Sequence, residues 1–182
     1  GTRRLRSMAA VSSMTSDMTP LAERAPGTRS RLPSAAARRL GRALALVASA
    51  WPEAAREIRA RTRLVIPLEE PGLVSYSMPS RPGVSYINLR RKTLIDLADD
   101  LLHETAHHRL HALEDARALF RKSRPGAAAE DVRIWSPWRR APRPVRGIAH
   151  ACYTFAFRAE LFERILRAAR AEGGKVGPLR VR

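Results

Sequence analysis

The chain has 182 residues, 45% of them hydrophobic, which is enough for one substantial core and short for two. Its formal charge of +17 comes from 34 basic residues spread along the chain, all but Lys92, Lys122 and Lys175 arginine, and no helix-turn-helix, zinc-finger or RNA-binding signature accompanies them, which argues against specific nucleic-acid recognition. The single cysteine, Cys152, excludes an intramolecular disulfide and a cysteine-rich zinc site, and no run reaches the roughly 18 apolar residues of a membrane span, so a cytoplasmic protein is expected.

Residues 1–33 mix Arg, Ser, Thr and Pro without a sustained period and read as a flexible N-terminal extension or a segment cut from something larger. From Ser34 the pattern turns helical, with Leu40, Leu44 and Val47 recurring at three to four. Ala43 to Trp51, ending in Ala48-Ser49-Ala50, superficially copies a secretion signal but is short and begins too far into the chain. Pro52 sits where a second helix, residues 52–61, can begin. Three β-like runs follow at 62–68, 72–78 and 83–88, punctuated by Pro71-Gly72 and Pro82-Gly83, and predict a small antiparallel sheet. Thr93 and Asp96 resemble a capping box for a helix that runs to about Glu114. Residues 123–143, rich in Pro, Gly and Arg, predict a long connection of the kind that is often functional. A final helix runs from about Pro144 to Arg170, with Gly173-Gly174 past its end. The expected architecture is a single α+β domain over residues 34–172, followed by a flexible tail over 173–182.

His103-Glu104-Thr105-Ala106-His107 is an H-E-x-x-H motif inside the helix that Thr93 opens. Residues four apart stand one turn apart on one face, so both imidazoles can reach a single metal ion with Glu104 beside it. Projected at 100° per residue, Asp96, Asp99, His103, His107 and Glu114 fall within an arc of about 80°, with His111 at its margin. His108 points away from that face and is expected to be structural, while Asp96 or Asp99 could orient an imidazole or simply be solvated. Two imidazoles leave a metal site incomplete, and His150, on the final helix, is the one histidine elsewhere in the chain. It could be a ligand or a satisfied core residue; Glu160 is the second candidate.

The blocks VSYINL, LLHETAHHRLHAL and IWSPWRRAPRPVRGIAHACYTFAFRAELF resemble the HExxH-motif peptide-modification proteins found beside the precursors of ribosomally made, post-translationally modified peptides. The resemblance covers about residues 72–168, and Ser136-Pro137-Trp138-Arg139 with Arg143-Pro144-Val145-Arg146-Gly147-Ile148-Ala149-His150 is its more diagnostic part, since H-E-x-x-H alone also belongs to unrelated peptidases. It implies a zincin-like outline, with a small sheet beside the H-E-x-x-H helix and a long C-terminal helix. It further implies iron(II)- and 2-oxoglutarate-dependent hydroxylation, with O2, at the β-carbon of a residue in a precursor peptide. By the resemblance the iron ligands are His103, His107 and His150. Members are commonly longer or fused to another peptide-maturation enzyme, which makes such an enzyme an expected partner, and the N-terminal third of this chain has no counterpart in the resemblance.

Two mechanisms use these residues. In the hydroxylase, the far carboxylate of 2-oxoglutarate needs a cation, for which Arg146 is the first candidate with Arg143 and Arg139 behind it, and Glu104 positions water or substrate. In a zinc peptidase, Glu104 is the general base and Tyr153 or an arginine steadies the oxyanion. Either enzyme would draw in a peptide that is acidic in part. The non-enzymatic alternative is a basic peptide-binding module with a closed, structural metal site.

Overall fold

Pro52 divides the first helical stretch in two. Trp51 leaves helical backbone while its N–H still donates to the Val47 carbonyl at 2.6 Å, and the proline ring then occupies the first turn of the next helix, where a backbone donor would be unpaired anyway. A computed structural model describes residues 34–117, 119, 133–171 and 173. The elements are α1 (Ser34–Ala50), α2 (Pro52–Arg61), β1 (Leu64–Leu68), β2 (Tyr76–Ser77), β3 (Val84–Asn88), α3 (Leu94–Ala116), β4 (Arg133–Ser136), β5 (Ala141–Pro144) and α4 (Val145–Ala171). The chain is therefore α+β, as its patterning indicates. The extension expected over 1–33 and the tail beyond Gly173 lie outside the described residues. Among the described residues, no helix is long and apolar enough to cross a membrane.

The core gathers Ala43 and Val47 of α1, Ala55 and Ile58 of α2, Ile87 of β3, Leu97, Ala98, Leu101 and Leu102 of α3, and Leu161 of α4. The largest share of these lies on α3, which packs against the other three helices and the sheet. Trp51 stacks on Phe157 at 6.0 Å and carries the Arg164 guanidinium on its ring, which fastens the α1–α2 corner to α4. Arg39 donates to the Leu89 and Lys92 carbonyls at 3.1 and 2.8 Å and so ties α1 to the loop that enters α3. The Thr93–Asp96 capping box forms in both directions and sets where that helix begins.

The antiparallel sheet expected from the turn signals is instead mixed. Its order is β1-β3-β2, with β1 parallel to β3 and β2 antiparallel to it. Pro71-Gly72 does not return β1 against β2; the chain crosses to the far side of the β3 position, and β3 then fills the gap. Pro82-Gly83 is the tight turn. Gly83 has φ +80, its carbonyl accepts from Arg63 and Leu64, and a Cβ there would stand 2.9 Å from Arg63 Nε.

The stretch read as a long connection over 123–143 is corrected from residue 133 onward, while 123–132 lie outside the described residues. Residues 133–144 form a hairpin, Arg133–Ser136 against Ala141–Pro144. Pro142 and Pro144 are two apart and so share the side of β5 that faces away from β4, where no donor is required.

Replacing Gly83 with Ala forces an L side chain into the left-handed region against Arg63. A loss of about 1–2 kcal/mol is expected in urea unfolding, and an unchanged midpoint would contradict the turn described here.

Candidate metal centre

Helix α3 presents two polar stripes, side by side. On the first, Asp100, Glu104 and His108 recur every four residues and face the sheet. Ser75 donates to Asp100 at 2.7 Å, Ser77 donates to Glu104 at 2.7 Å, and the His108 Nε2 meets Ser85 Oγ at 3.1 Å. The Gly83 N–H donates to His108 Nδ1 at 3.4 Å, so the ring proton belongs on Nε2, pointing to Ser85. His108 is thus a buried tether between α3 and the β2–β3 turn, in agreement with its position on the helical wheel. Burial pushes the Glu104 carboxyl up to about 7, opposed by the Ser77 hydrogen bond.

The second stripe carries His103, His107, His111 and Glu114 and faces α4. There the structure brings His150, buried, against it: His150 Nδ1 lies 3.5 Å from His107 Nδ1, and the two rings stack with centroids 5.7 Å apart. His111 is equally close, its ring centroid 5.0 Å from that of His150. Among the described residues, His107, His111 and His150 are the one set of three whose ligand atoms all lie within 4.8 Å of one another. His103 stands at the other end of the stripe, edge-on to His107 at 4.9 Å and 6.2 Å from the Phe155 ring, and its Nδ1 is buried without a hydrogen-bond partner.

Glu114 joins this cluster to α4. Its carboxylate accepts from Arg146 Nε at 2.9 Å and Nη2 at 2.6 Å, while its oxygens lie 2.8 Å from His150 Nε2 and 3.3 Å from His111 Nδ1. The Arg146 fork, then burial acting the other way, then His150, set its pKa, which falls to about 2. Burial holds His103 down to about 4, helped by the Arg158 charge, and His107 down to about 3, helped by the imidazoles around it. Both rings are therefore neutral near pH 7 with a lone pair to offer. Crowded neutral imidazoles, an orphaned buried ring nitrogen and a carboxylate behind the set are a donor arrangement that fits a divalent transition metal.

The other expected site residues lie around this centre. Asp99 pairs with Arg158 at 2.9 Å, and Asp96 closes the helix cap, so both are engaged elsewhere than on an imidazole. Glu160 pairs with Arg164, one turn on along α4. Tyr153 lies tilted against Phe157 with ring centroids 5.1 Å apart, and the charges that act on it are Arg109, Glu57 and Arg61, on the α2 side of α3; its hydroxyl is buried without a partner. Arg143 lays its guanidinium against Gly147, where a Cβ would come within 3.2 Å of Nε and Nη2, so the glycine makes room for it on the first turn of α4. Arg139 lies in the exposed turn between β4 and β5, where its backbone N–H donates to Ser136.

Residue patterning did not single out the serines of the first stripe or the hub role of Glu114, although both follow once α3 is known to be polar on two adjacent stripes. It also missed an aromatic row, Trp138 edge-on to Phe155 at 5.2 Å and Phe155 beside His103, that runs from the β4–β5 hairpin to the H-E-x-x-H helix. No protein-family model matches this chain, and no curated protein is significantly similar to it.

The titrations make opposite demands on the metal-free fold. His103 and His107 sit below their ordinary 6.5, so the stability they contribute is full above that value and is lost as pH falls through about 4 and 3. Glu104 is raised from 4.5 to about 7, so its contribution is full below 4.5 and is lost as pH rises through 7. In urea midpoints measured against pH, Glu104→Gln is expected to flatten the alkaline limb and His107→Gln the acid limb. Limbs unchanged by these substitutions would refute the assignment.

Proposed function

We propose that this chain is a metal-dependent peptide-modifying enzyme that hydroxylates a β-carbon in a ribosomally made precursor peptide, using iron(II), 2-oxoglutarate and O2. The observation that carries this reading is the meeting of His150 from α4 with His107 of the H-E-x-x-H helix, nitrogens 3.5 Å apart, beside rings that burial keeps uncharged. The reaction class and the set His103, His107 and His150 come from the resemblance, and a zincin-like outline is consistent with a mixed sheet on one side of α3 and α4 on the other. Iron(II) held there, with 2-oxoglutarate and O2, supplies the oxidising chemistry of C–H hydroxylation.

The chain's own residues supply binding and orientation. Arg146 is committed to Glu114, so we assign the far carboxylate of 2-oxoglutarate to Arg143, which lies against Gly147 one turn before His150 and forms no ion pair among the described residues. The hairpin and the start of α4 present Ile134, Trp135 and Trp138 exposed among Arg133, Arg139, Arg140 and Arg143, with no acidic residue in the stretch. That surface suits a peptide that is acidic in part and carries apolar side chains, which the aromatic row leads toward His103. A cytoplasmic location, and a peptide-maturation enzyme as a further partner, belong to the same proposal.

A zinc peptidase is the second reading, favoured by a Glu104 carboxyl that burial raises to about 7, in the range suited to a general base. Against it, Glu104 belongs to the stripe that faces the sheet and is held by Ser77.

The test is anaerobic reconstitution with iron(II), followed by an assay for O2- and peptide-dependent conversion of 2-oxoglutarate to succinate, with gain of one oxygen atom on the peptide. His107→Ala and His150→Ala are each expected to reduce turnover on the order of 100-fold or more while circular dichroism stays unchanged. Peptide cleavage by the zinc-loaded protein, with no succinate formed, would overturn the proposal in favour of the peptidase.

A further inference from the structure

The ligand set can be drawn more closely than the motif allows. Resting on the proposed metal centre, we infer that its third imidazole is His111 rather than His103, and that Glu114, gripped by Arg146, is the positioning residue that holds His111 and His150 in ligand geometry. The metal then sits one helical turn further along α3 than H-E-x-x-H indicates.

Three observations support this. The first is spacing: two nitrogens on one metal, each about 2.0–2.1 Å from it, lie about 2.8–3.0 Å apart in an octahedral site and about 3.3–3.4 Å apart in a tetrahedral one. The Nδ1 atoms of His107 and His150 are 3.5 Å apart, and the third imidazole within reach of both is His111. No group of three with His103 converges in this way among the described residues.

The second is the tautomer each ring must adopt. An ionised carboxylate only accepts, so the His150 nitrogen that faces it, Nε2, must carry the proton, and Nδ1 keeps a lone pair on the side of His107. The same holds for His111, whose Nδ1 faces Glu114 and whose Nε2 is left to coordinate. One carboxylate thus prepares two imidazoles from two helices, the outer arrangement that metal-ligating histidines ordinarily have.

The third is Arg146. Its two-pronged grip on Glu114 orients the carboxylate and balances its charge, so the two imidazoles do not face an uncompensated anion. This gives Arg146 a task other than the cofactor's carboxylate. The observation that favours His103 is its buried, unpartnered Nδ1, and the experiment below reads both registers.

Cobalt(II) titration of the full chain, followed by absorption and by chelator competition, gives affinities independent of turnover, with circular dichroism as the check on folding. His111→Ala and His150→Ala are expected to weaken binding by about 100-fold or more, and Glu114→Gln and Arg146→Ala by about 10–100-fold, while His103→Ala stays within about threefold. If His111→Ala does not fold, His111→Gln, which keeps a side-chain donor for Glu114 but offers no imidazole, takes its place. A large loss on His103→Ala with little on His111→Ala overturns the inference and leaves the proposed enzyme standing. Unchanged affinity in Glu114→Gln overturns the positioning role. Wild-type protein that binds cobalt(II) no better than His150→Ala removes the centre altogether, and the proposed function with it.

Discussion

Serine hydroxyls of β2, β3 and the residue that leads into β2 hold α3 at a fixed rotation, and the geometry of the whole centre depends on that. Asp100, Glu104 and His108 would each be costly to bury alone, about 1–3 kcal/mol for an unsatisfied polar group and more for a charge. Ser75, Ser77 and Ser85 satisfy them one per helical turn. A turn of the helix about its axis by a single residue would break all three contacts at once. With that stripe fixed against the sheet, the adjacent one, with His103, His107, His111 and Glu114, is obliged to face α4, and the apolar remainder, Leu97, Leu101 and their neighbours, faces α1 and α2.

The strong positive charge of the chain is arranged so that it does not enter this centre unbalanced. Arg158 is paired with Asp99 beside His103, Lys92 with Asp100 below the sheet serines, and Arg146 with Glu114 behind His150. Each pair sits next to an imidazole or a buried carboxyl, and the cationic partners help keep the rings neutral. The arginines of the β4–β5 hairpin are different: Arg133, Arg139, Arg140 and Arg143 form no ion pair among the described residues, and the hairpin that carries them also exposes Trp135 and Trp138.

Much of the fold was legible because it is written in local signals. The Thr93–Asp96 box, the proline at the start of α2 and the long amphipathic α4 each depend on residues within one or two turns of one another. The parallel pairing of β1 with β3 was not legible, because a two-residue turn signal says where the chain bends and not which strand it returns to. The hairpin was hidden by its prolines, which count toward loop unless their parity along β5 is considered. At the site, the wheel placed His107 and Glu114 on one face and left His111 at the margin. That margin is where α4 arrives, and nothing in the α3 sequence indicates how far along that helix His150 will stand.

Pro67 has a consequence for solubility. The Leu68 carbonyl accepts from Leu89, so residue 68 faces β3, and Pro67, next to it, faces outward from the sheet. At that point the outer edge of β1 presents a ring in place of an N–H. A foreign strand that approached there would find its ladder interrupted after a residue or two, so this edge is protected from the end-to-end sheet growth that leads to fibrils.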